Sequence, residues 1–382
     1  MNVVVAVSRP LGSGGLGWQV YLSVRALARA GMLARVVACG APHPGISGDR
    51  QVALGHGRWL RLLHHTPLRW AKAWYGWLEE EVFDRRAAAL LPDAEIFHGW
   101  AGQCGRTMKA ARRQGMKTLL EGGTTHVHWL YRELKQEYAR YGSRVVELNQ
   151  AVIRRHLDTY DQADLIRPSS ELARRSFLEF GVPESRLARA PTHLAVDTGR
   201  FTPGEKKDDV FRVVFAGSLG LRKGFPYLLE AFRRWKPEGA ELVLVGGPTD
   251  RLSRKLLERY RKEIPFLVKP GDPLPWYRRA SVVVLPSIED AFGLVVLEAM
   301  ACGVPVVVSD HAGACECVEE GREGFIFPAR DTDALVERLR QLRDHEDRRR
   351  EMGAAARVKA LQFDQDRFAE KILALYRKLS PG

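Results

Sequence analysis

The sequence lacks any apolar run long enough for a membrane-spanning helix, so no bilayer-crossing segment is expected. Its opening, MNVVVAVSRP, has no basic leader, no extended apolar core and no small-residue cleavage site. It reads as the first strand of a domain, not as a signal peptide. Cysteine is scarce: Cys39, Cys104, Cys302, Cys315 and Cys317 are odd in number and scattered, which excludes a disulfide framework and suits a reducing, cytoplasmic setting. Zinc-type Cys/His spacing is absent, and no Asp-x-Asp run stands in a suitable context, so no metal is expected. Acidic residues are outnumbered: 59 Lys and Arg face 46 Asp and Glu, a net charge of +13 that calls for an anionic partner such as nucleic acid, anionic lipid or a phosphorylated substrate.

What is present is an alternation of short Val/Ile/Leu-rich runs with longer helical patterns. The strand candidates are 2–8, 33–39, 94–99, 117–122 and 164–168, then 211–216, 241–246, 266–268, 281–286, 304–309 and 324–328. Most are too apolar to be exposed on one face, so they belong to parallel sheets covered by helices on both sides. At 382 residues the chain exceeds one ordinary core, and the series runs twice around the polar segment DTGRFTPGEKKDD at 197–209. The expected fold class is α/β: two doubly wound, Rossmann-like domains facing a central cleft. The first is placed at 1–195 and the second at 196–363, and a last helix, about 364–382, is left to pack back on either.

Two acids stand out in PSIEDAFGLVVLEAMACGVPVVVSD, residues 286–310. Asp290 falls on the loop after a strand, where ligands sit in open α/β sheets. Glu298 falls on the following helix, read as Gly293–Cys302. Eight helical residues would separate the two by roughly 12 Å, room for an elongated ligand with polyols at both ends and an anion between. The helix start at Gly293 and Leu294 offers free N–H groups and a positive dipole end to that anion. A second loop, Gly217–Gly224, carries Arg222 and Lys223 between a strand and a helix. Two cations above a glycine turn suit a diphosphate and the charge that grows on it as it leaves. The order Gly-x4-Gly-Lys-Ser/Thr of a P-loop is absent.

These two stretches resemble the retaining glycosyltransferases of family 4. The phrase PSIEDAFGLVVLEAMACGVPVV is similar to that family's Glu-x7-Glu signature, with Asp290 in place of the first Glu and Glu298 as the second. The run 311–335, HAGACECVEEGREGFIFPARDTDAL, continues the resemblance, and GSLGLRKG is similar to the family's basic glycine loop, with Ser218 where an Arg is usual. The resemblance is dense in the second half and thin in the first. It implies a GT-B fold and transfer of a sugar from a nucleotide diphosphate sugar to a hydroxyl acceptor with retention of configuration, without metal or other cofactor. On that reading Glu298 holds the ribose and Asp290 the donor sugar. Arg222, Lys223 and the helix start hold the diphosphate, and Phe292, Gly293, Leu294, Gly217 and Ser218 line the donor site. Arg222 is expected to supply the cation that Ser218 cannot.

In the first half, Gly12, Gly14 and Gly17 fit a dinucleotide-type Gly-x-Gly-x-x-Gly spacing, but the next strand ends in Gly40-Ala41-Pro42, without the acid a nicotinamide ribose would need. The resemblance turns Gly14 and Gly15 toward the cleft instead. It also places a histidine near the end of the 117–122 strand, for which His126 is the candidate catalytic residue; His98 and His128 lie at or beyond strand ends too. Asp197 reads as part of an interdomain hinge around PTHLAVDTGRF. Between Arg50 and Leu78 no acid occurs, while Trp59, Trp70, Trp74, Tyr75 and Trp77 interleave with Arg58, Arg61, Arg69 and Lys72. That pattern suits either the face of an anionic membrane, making the protein peripheral, or a helix packed by its tryptophans. A cell-envelope glycan or lipid-linked acceptor fits the first. Two rivals stay open: a sugar-nucleotide epimerase or phosphorylase on the same frame, and a basic nucleic-acid binder, for which no recognition motif is present.

Overall fold

The computed structural model describes residues 1–55, 72–145, 147–189, 194–205 and 208–380. Two six-stranded sheets organise them. The first contains β1 (Val3–Val7), β2 (Leu33–Cys39), β3 (Gln51–Leu54), β4 (Ile96–Trp100), β5 (Lys117–Glu121) and β6 (Leu165–Arg167), in the order β3-β2-β1-β4-β5-β6. The second contains β7 (Phe211–Ala216), β8 (Ala240–Val245), β9 (Leu267–Lys269), β10 (Val282–Leu285), β11 (Val306–Ser309) and β12 (Gly324–Phe327), in the order β12-β11-β10-β7-β8-β9. Counted from its own first strand, each sheet has the doubly wound order 3-2-1-4-5-6, and the ladders are parallel.

The strands are buried on both faces for a visible reason. In β7, Phe211, Val213 and Phe215 enter one apolar cluster while Val214 and Ala216 enter another on the opposite side. β1 divides the same way, with Val4 and Ala6 on one face and Val3, Val5 and Val7 on the other. A pleated strand sends alternate side chains to opposite faces, so helices on both sides demand apolar residues at every position. The strand missed by sequence reading is β3. It is short, lies at the sheet edge, and opens with Gln51, whose amide bonds the backbone of His43 and Ile46; an edge strand has no need of a continuous apolar run.

The chain passes between the halves twice. On the first pass Ala195 is clamped by both amide atoms of Gln19 (2.7 and 3.2 Å), and the Val196 N–H donates to the Phe363 carbonyl (3.0 Å). From there the final helix, Gln365–Leu379, capped by Asp364, returns to the first half and buries Phe368, Ile372 and Tyr376 beside Val5 and Leu27. The helix Val127–Arg140 reaches the other way. Its Leu130, Leu134 and Tyr138 share a cluster with Phe225 and Leu228, and Arg330 of the second half bonds Glu133 (2.9 Å) and Glu137 (3.1 Å). Among the described residues no helix is long and apolar enough to cross a membrane. Of the expected basic–aromatic stretch, Arg58, Trp59, Arg61, Arg69 and Trp70 lie outside the described residues, as does the side chain of Lys72; so do Pro191, Thr192 and His193 of the expected hinge.

Candidate active site

The second sheet reverses its winding between β7 and β10, and the loops leaving these two strands build one wall of the cleft. They are fastened to each other. Ile288 N–H donates to the Arg222 carbonyl (3.0 Å), and Gly224, with φ +67°, lies so close to the second loop that a Cβ there would stand 1.7 Å from the Pro286 carbonyl oxygen. Only glycine meets both demands. Farther on, Asp290 N–H donates to the His311 carbonyl (3.0 Å) and the Asp290 carbonyl accepts from Gly313 N–H (2.9 Å), tying the acid-bearing loop to the turn after β11. Gly293 has φ +96°, and a Cβ on it would lie 2.5 Å from Leu285 Cδ2 and 3.2 Å from an Asp290 oxygen.

On this frame the charges pair. Lys223 Nζ bonds Asp290 Oδ2, and Arg222 Nη1 bonds Glu289 Oε2 at 2.8 Å. Burial alone would raise the Asp290 carboxyl, but Lys223 and Arg222 beside it outweigh that and hold it below the usual range. Burial lowers the Lys223 ammonium, partly opposed by Asp290. Glu289, fully buried, also accepts from Thr125 Oγ1 (2.8 Å) and Thr125 N–H (3.2 Å), so the basic loop is joined through one carboxylate to the opposite half. Glu298 is different. Among the described residues no cation pairs with it and the one side-chain bond to its carboxyl is from the Tyr277 hydroxyl (3.1 Å); burial pushes its carboxyl up to about 7. Tyr277 is buried and keeps its proton, so it is the donor.

Two adjoining cavities fill the cleft. The larger, about 680 Å³, is lined by Gly14, Gly15, Gly217, Ser218, Leu294 and Glu298, and also by Arg200 and Asp272. The smaller, about 350 Å³, adds Arg222, Lys223, Asp290, Phe292 and Gly293, and meets the first half at Trp100, Glu121 and Arg167. Of the twelve residues given a site role from sequence, only His126 lines neither, and His98 and His128, also noted at strand ends, line neither as well. The His126 imidazole is buried against Phe180 (4.8 Å, nearly parallel) and Tyr160, and its Nδ1 caps the helix Val127–Arg140 by accepting from His128 N–H (3.3 Å). Burial holds it at about 4, neutral at physiological pH. The expected catalytic role for His126 is therefore corrected to a helix cap; the strand end that faces the cleft carries Glu121. A further correction concerns the helix after Asp290. It spans only Val295–Ala301, so Asp290 precedes it in irregular backbone, the 12 Å estimate loses its basis, and a helix this short supplies no dipole site. Sequence reading missed Glu289, although it stands next to Asp290, and missed Glu121, Thr125 and Tyr277, whose partners are remote in the chain. A separate groove of about 810 Å³ runs between β6 and the last helix, and none of the predicted residues lines it. Among the described residues, no three His, Cys, Asp or Glu side chains are grouped as a metal site requires.

Residues 210–345 match the family model of glycosyl transferases group 1. Similar sequences include an alpha-maltose-1-phosphate synthase of Mycolicibacterium smegmatis, 34% identical over 44% of this chain and 48% of that one. A D-inositol 3-phosphate glycosyltransferase of Paenarthrobacter aurescens is 30% identical over 53% and 54%. The chain thus spans about half the length of the curated relatives it matches. Over the whole length the likeness is one of fold. The sucrose-phosphate synthase of Thermosynechococcus elongatus superposes with a TM-score of 0.76 at 21% identity, covering 99% of each chain. An Anabaena protein, HepE, solved in complex with UDP-glucose, gives 0.69 at 16%, covering 99% and 100%. The fold is GT-B.

Proposed function

We propose that the protein is a retaining glycosyltransferase of family 4 type that moves a sugar from a nucleotide diphosphate sugar to a hydroxyl acceptor. The observation that carries this reading is the convergence of Asp290, Lys223, Arg222 and Glu298 on one cleft wall at the point where the sheet's winding reverses, inside the segment that matches glycosyl transferases group 1. The binding of UDP-glucose by a protein of the same fold supports a nucleotide-sugar donor.

In this reading the ribose lies against Glu298 in the larger cavity, the diphosphate against Lys223 and Arg222, and the donor sugar beside Asp290 and Gly293 in the smaller one. The bond from the sugar's anomeric carbon to the diphosphate oxygen breaks. The acceptor hydroxyl forms its bond on the same face, and its proton passes to the departing diphosphate. Lys223 and Arg222 stabilise the charge that accumulates there, a contribution of fixed donors worth roughly 10²–10³ in rate for each. Their carboxylate partners keep them charged and aimed before the donor arrives. Arg222 also stands in for the cation that Ser218 does not provide. No cofactor beyond the donor is invoked, and no metal. The acceptor belongs to a cell-envelope glycan or glycolipid, and the protein works in the cytoplasm against the membrane face; the exposed Trp74 on the helix Lys72–Ala88 is consistent with surface contact.

The test is a thermal-shift panel of UDP, GDP and ADP and their sugars, followed by measurement of nucleoside diphosphate release with and without acceptor. Binding of one nucleotide with acceptor-dependent release is expected. Absence of any nucleotide shift overturns the reading. Sedimentation with anionic vesicles at low salt tests membrane contact.

A further inference from the structure

The first-half wall of the smaller cavity carries a carboxylate that the donor chemistry does not use. Glu121 ends β5 and is nearly buried. Arg167 Nη1 donates to its Oε1 at 2.6 Å, and His98 Nε2 contacts the same oxygen at 3.2 Å. Burial raises this carboxyl, but Arg167 and His98 outweigh it, so Glu121 is ionised at neutral pH. Both contacts fall on Oε1. Oε2 has no hydrogen-bond partner among the described residues, and Glu121 lines the cavity, where a water or a ligand hydroxyl can donate to it.

The neighbouring polar groups on this wall are already engaged. Gln19 is spent on the Ala195 backbone, Ser23 Oγ donates to the Gln19 carbonyl (3.1 Å), and Ser169 Oγ donates to the Ala291 carbonyl (3.1 Å). Across the cavity, Asp290 and Lys223 are bonded to each other. The charged lining is close to balanced, with Arg167, Arg222 and Lys223 against Glu121, Asp290 and a Glu298 carboxyl that burial holds partly protonated. A nearly balanced pocket with one spare acceptor oxygen suits an uncharged ring bearing hydroxyls better than a cation or a second phosphate.

Glu121 is also held from behind. The buried Tyr376 hydroxyl, on the last helix, contacts His98 Nδ1 at 2.7 Å, and burial keeps that phenol protonated. With Glu121 ionised, His98 Nε2–H donates to its Oε1, and the Tyr376 hydroxyl bonds the other ring nitrogen and holds the imidazole in that orientation. This chain of three fixes the carboxylate's orientation from an element that is remote in sequence.

We infer that Glu121 is the acceptor-binding residue, its Oε2 receiving a hydrogen bond from a hydroxyl of a neutral sugar or polyol, with His98 and Tyr376 as positioning residues. The inference rests on the glycosyl-transfer reading, and its test separates the two. Saturation-transfer NMR on the full chain, with methyl α-glucoside, α-galactoside and α-mannoside as probes, is run with and without UDP, GDP or ADP. The wild type is expected to transfer saturation to at least one glycoside. Glu121→Gln should weaken that binding about tenfold, the size of one charged hydrogen bond. Tyr376→Phe should weaken it about threefold. In both variants the nucleotide-induced rise in Tm should be unchanged, a split that a general loss of structure would not produce. If nucleotides bind but no glycoside does, or if Glu121→Gln binds glycoside as the wild type does, the inference is overturned while the donor reading stands. If no nucleotide binds, the donor reading fails, and the glycoside result alone then decides the subsite. Should Glu121→Gln fail to fold, Tyr376→Phe with unaltered glycoside affinity removes the positioning chain.

Discussion

The two halves share a strand order and differ in what their loops do with it. In the second half the loops after β7 and β10 are locked together by backbone contacts, and their side chains are paired into Lys223–Asp290 and Arg222–Glu289. In the first half the glycine loop after β1 is closed on itself at Gly12 and Gly17, where a Cβ would stand 3.0 Å from His43 Nε2 and 2.4 Å from the Pro10 carbonyl oxygen, and is open at its tip. Gly14 has φ +57°, but a Cβ there would meet nothing within 4 Å. The polar side chain with unused capacity, Glu121, is supported from the last helix and not by its neighbours in sequence. One topology thus yields a wall that is prearranged for an anion and a wall that is left accommodating. On the proposed function, a donor handle shared by many substrates and an acceptor that varies call for that asymmetry.

The sharpest way to break the comparison is through glycine. Gly224→Ala should cost more than about 4 kcal/mol of stability, because the new methyl overlaps the Pro286 carbonyl in a backbone conformation that L residues avoid. Gly14→Ala should cost about 1 kcal/mol, the left-handed backbone penalty alone. Equal losses in chemical denaturation would mean that the two loops are not differently constrained.

Next in size is Lys223→Ala, expected to lower turnover by roughly 10²–10³ with the fold retained. Arg222→Ala should reduce donor affinity and turnover as well. If Arg222→Ala leaves both intact while Lys223→Ala abolishes them, Arg222 does not replace the cation missing at Ser218.

The third contrast is between paired and unpaired acids. The Glu298 carboxyl stands at about 7 in the fold against an ordinary 4.5, so the folded protein holds a proton there that the unfolded chain has lost. Stability should therefore fall as pH rises from about 4.5 to 7 and level off above, by up to about 3 kcal/mol relative to Glu298→Gln. On the proposed function, ribose hydroxyls donate to Glu298 and favour its ionised form, so nucleotide affinity should rise across the same window, with proton release visible by calorimetry in two buffers. A flat difference between wild type and Glu298→Gln rules out the elevated carboxyl. Smallest is Thr125→Val, which removes a hydroxyl from the buried Glu289 and should cost about 1.5 kcal/mol. A double-mutant cycle with Glu289→Gln measures how much of that loss comes from this contact between the halves.

Much of this was legible in the chain itself. A strand covered on both faces must be apolar at every position, so β7, β10 and β11 announce themselves. β3 at the edge is under no such pressure and passed unread. Asp290, Lys223 and Glu298 were legible because a turn, a glycine and a charge are adjacent in sequence and have a local meaning. His126 was misplaced for the opposite reason. A histidine just past a strand end reads the same whether its ring enters the cleft or folds back among Phe180 and Tyr160 to cap its own helix.

The sequence alone determined the doubly wound plan, since hydrophobic periodicity and turn chemistry act over a few residues. Only the tertiary structure decided which charges neutralise one another, which carboxyl is raised and which lowered, and that Glu121 is steadied by Tyr376. Burial and electrostatic pairing depend on distance in space, and between residues 121 and 376 the chain carries no local mark of it.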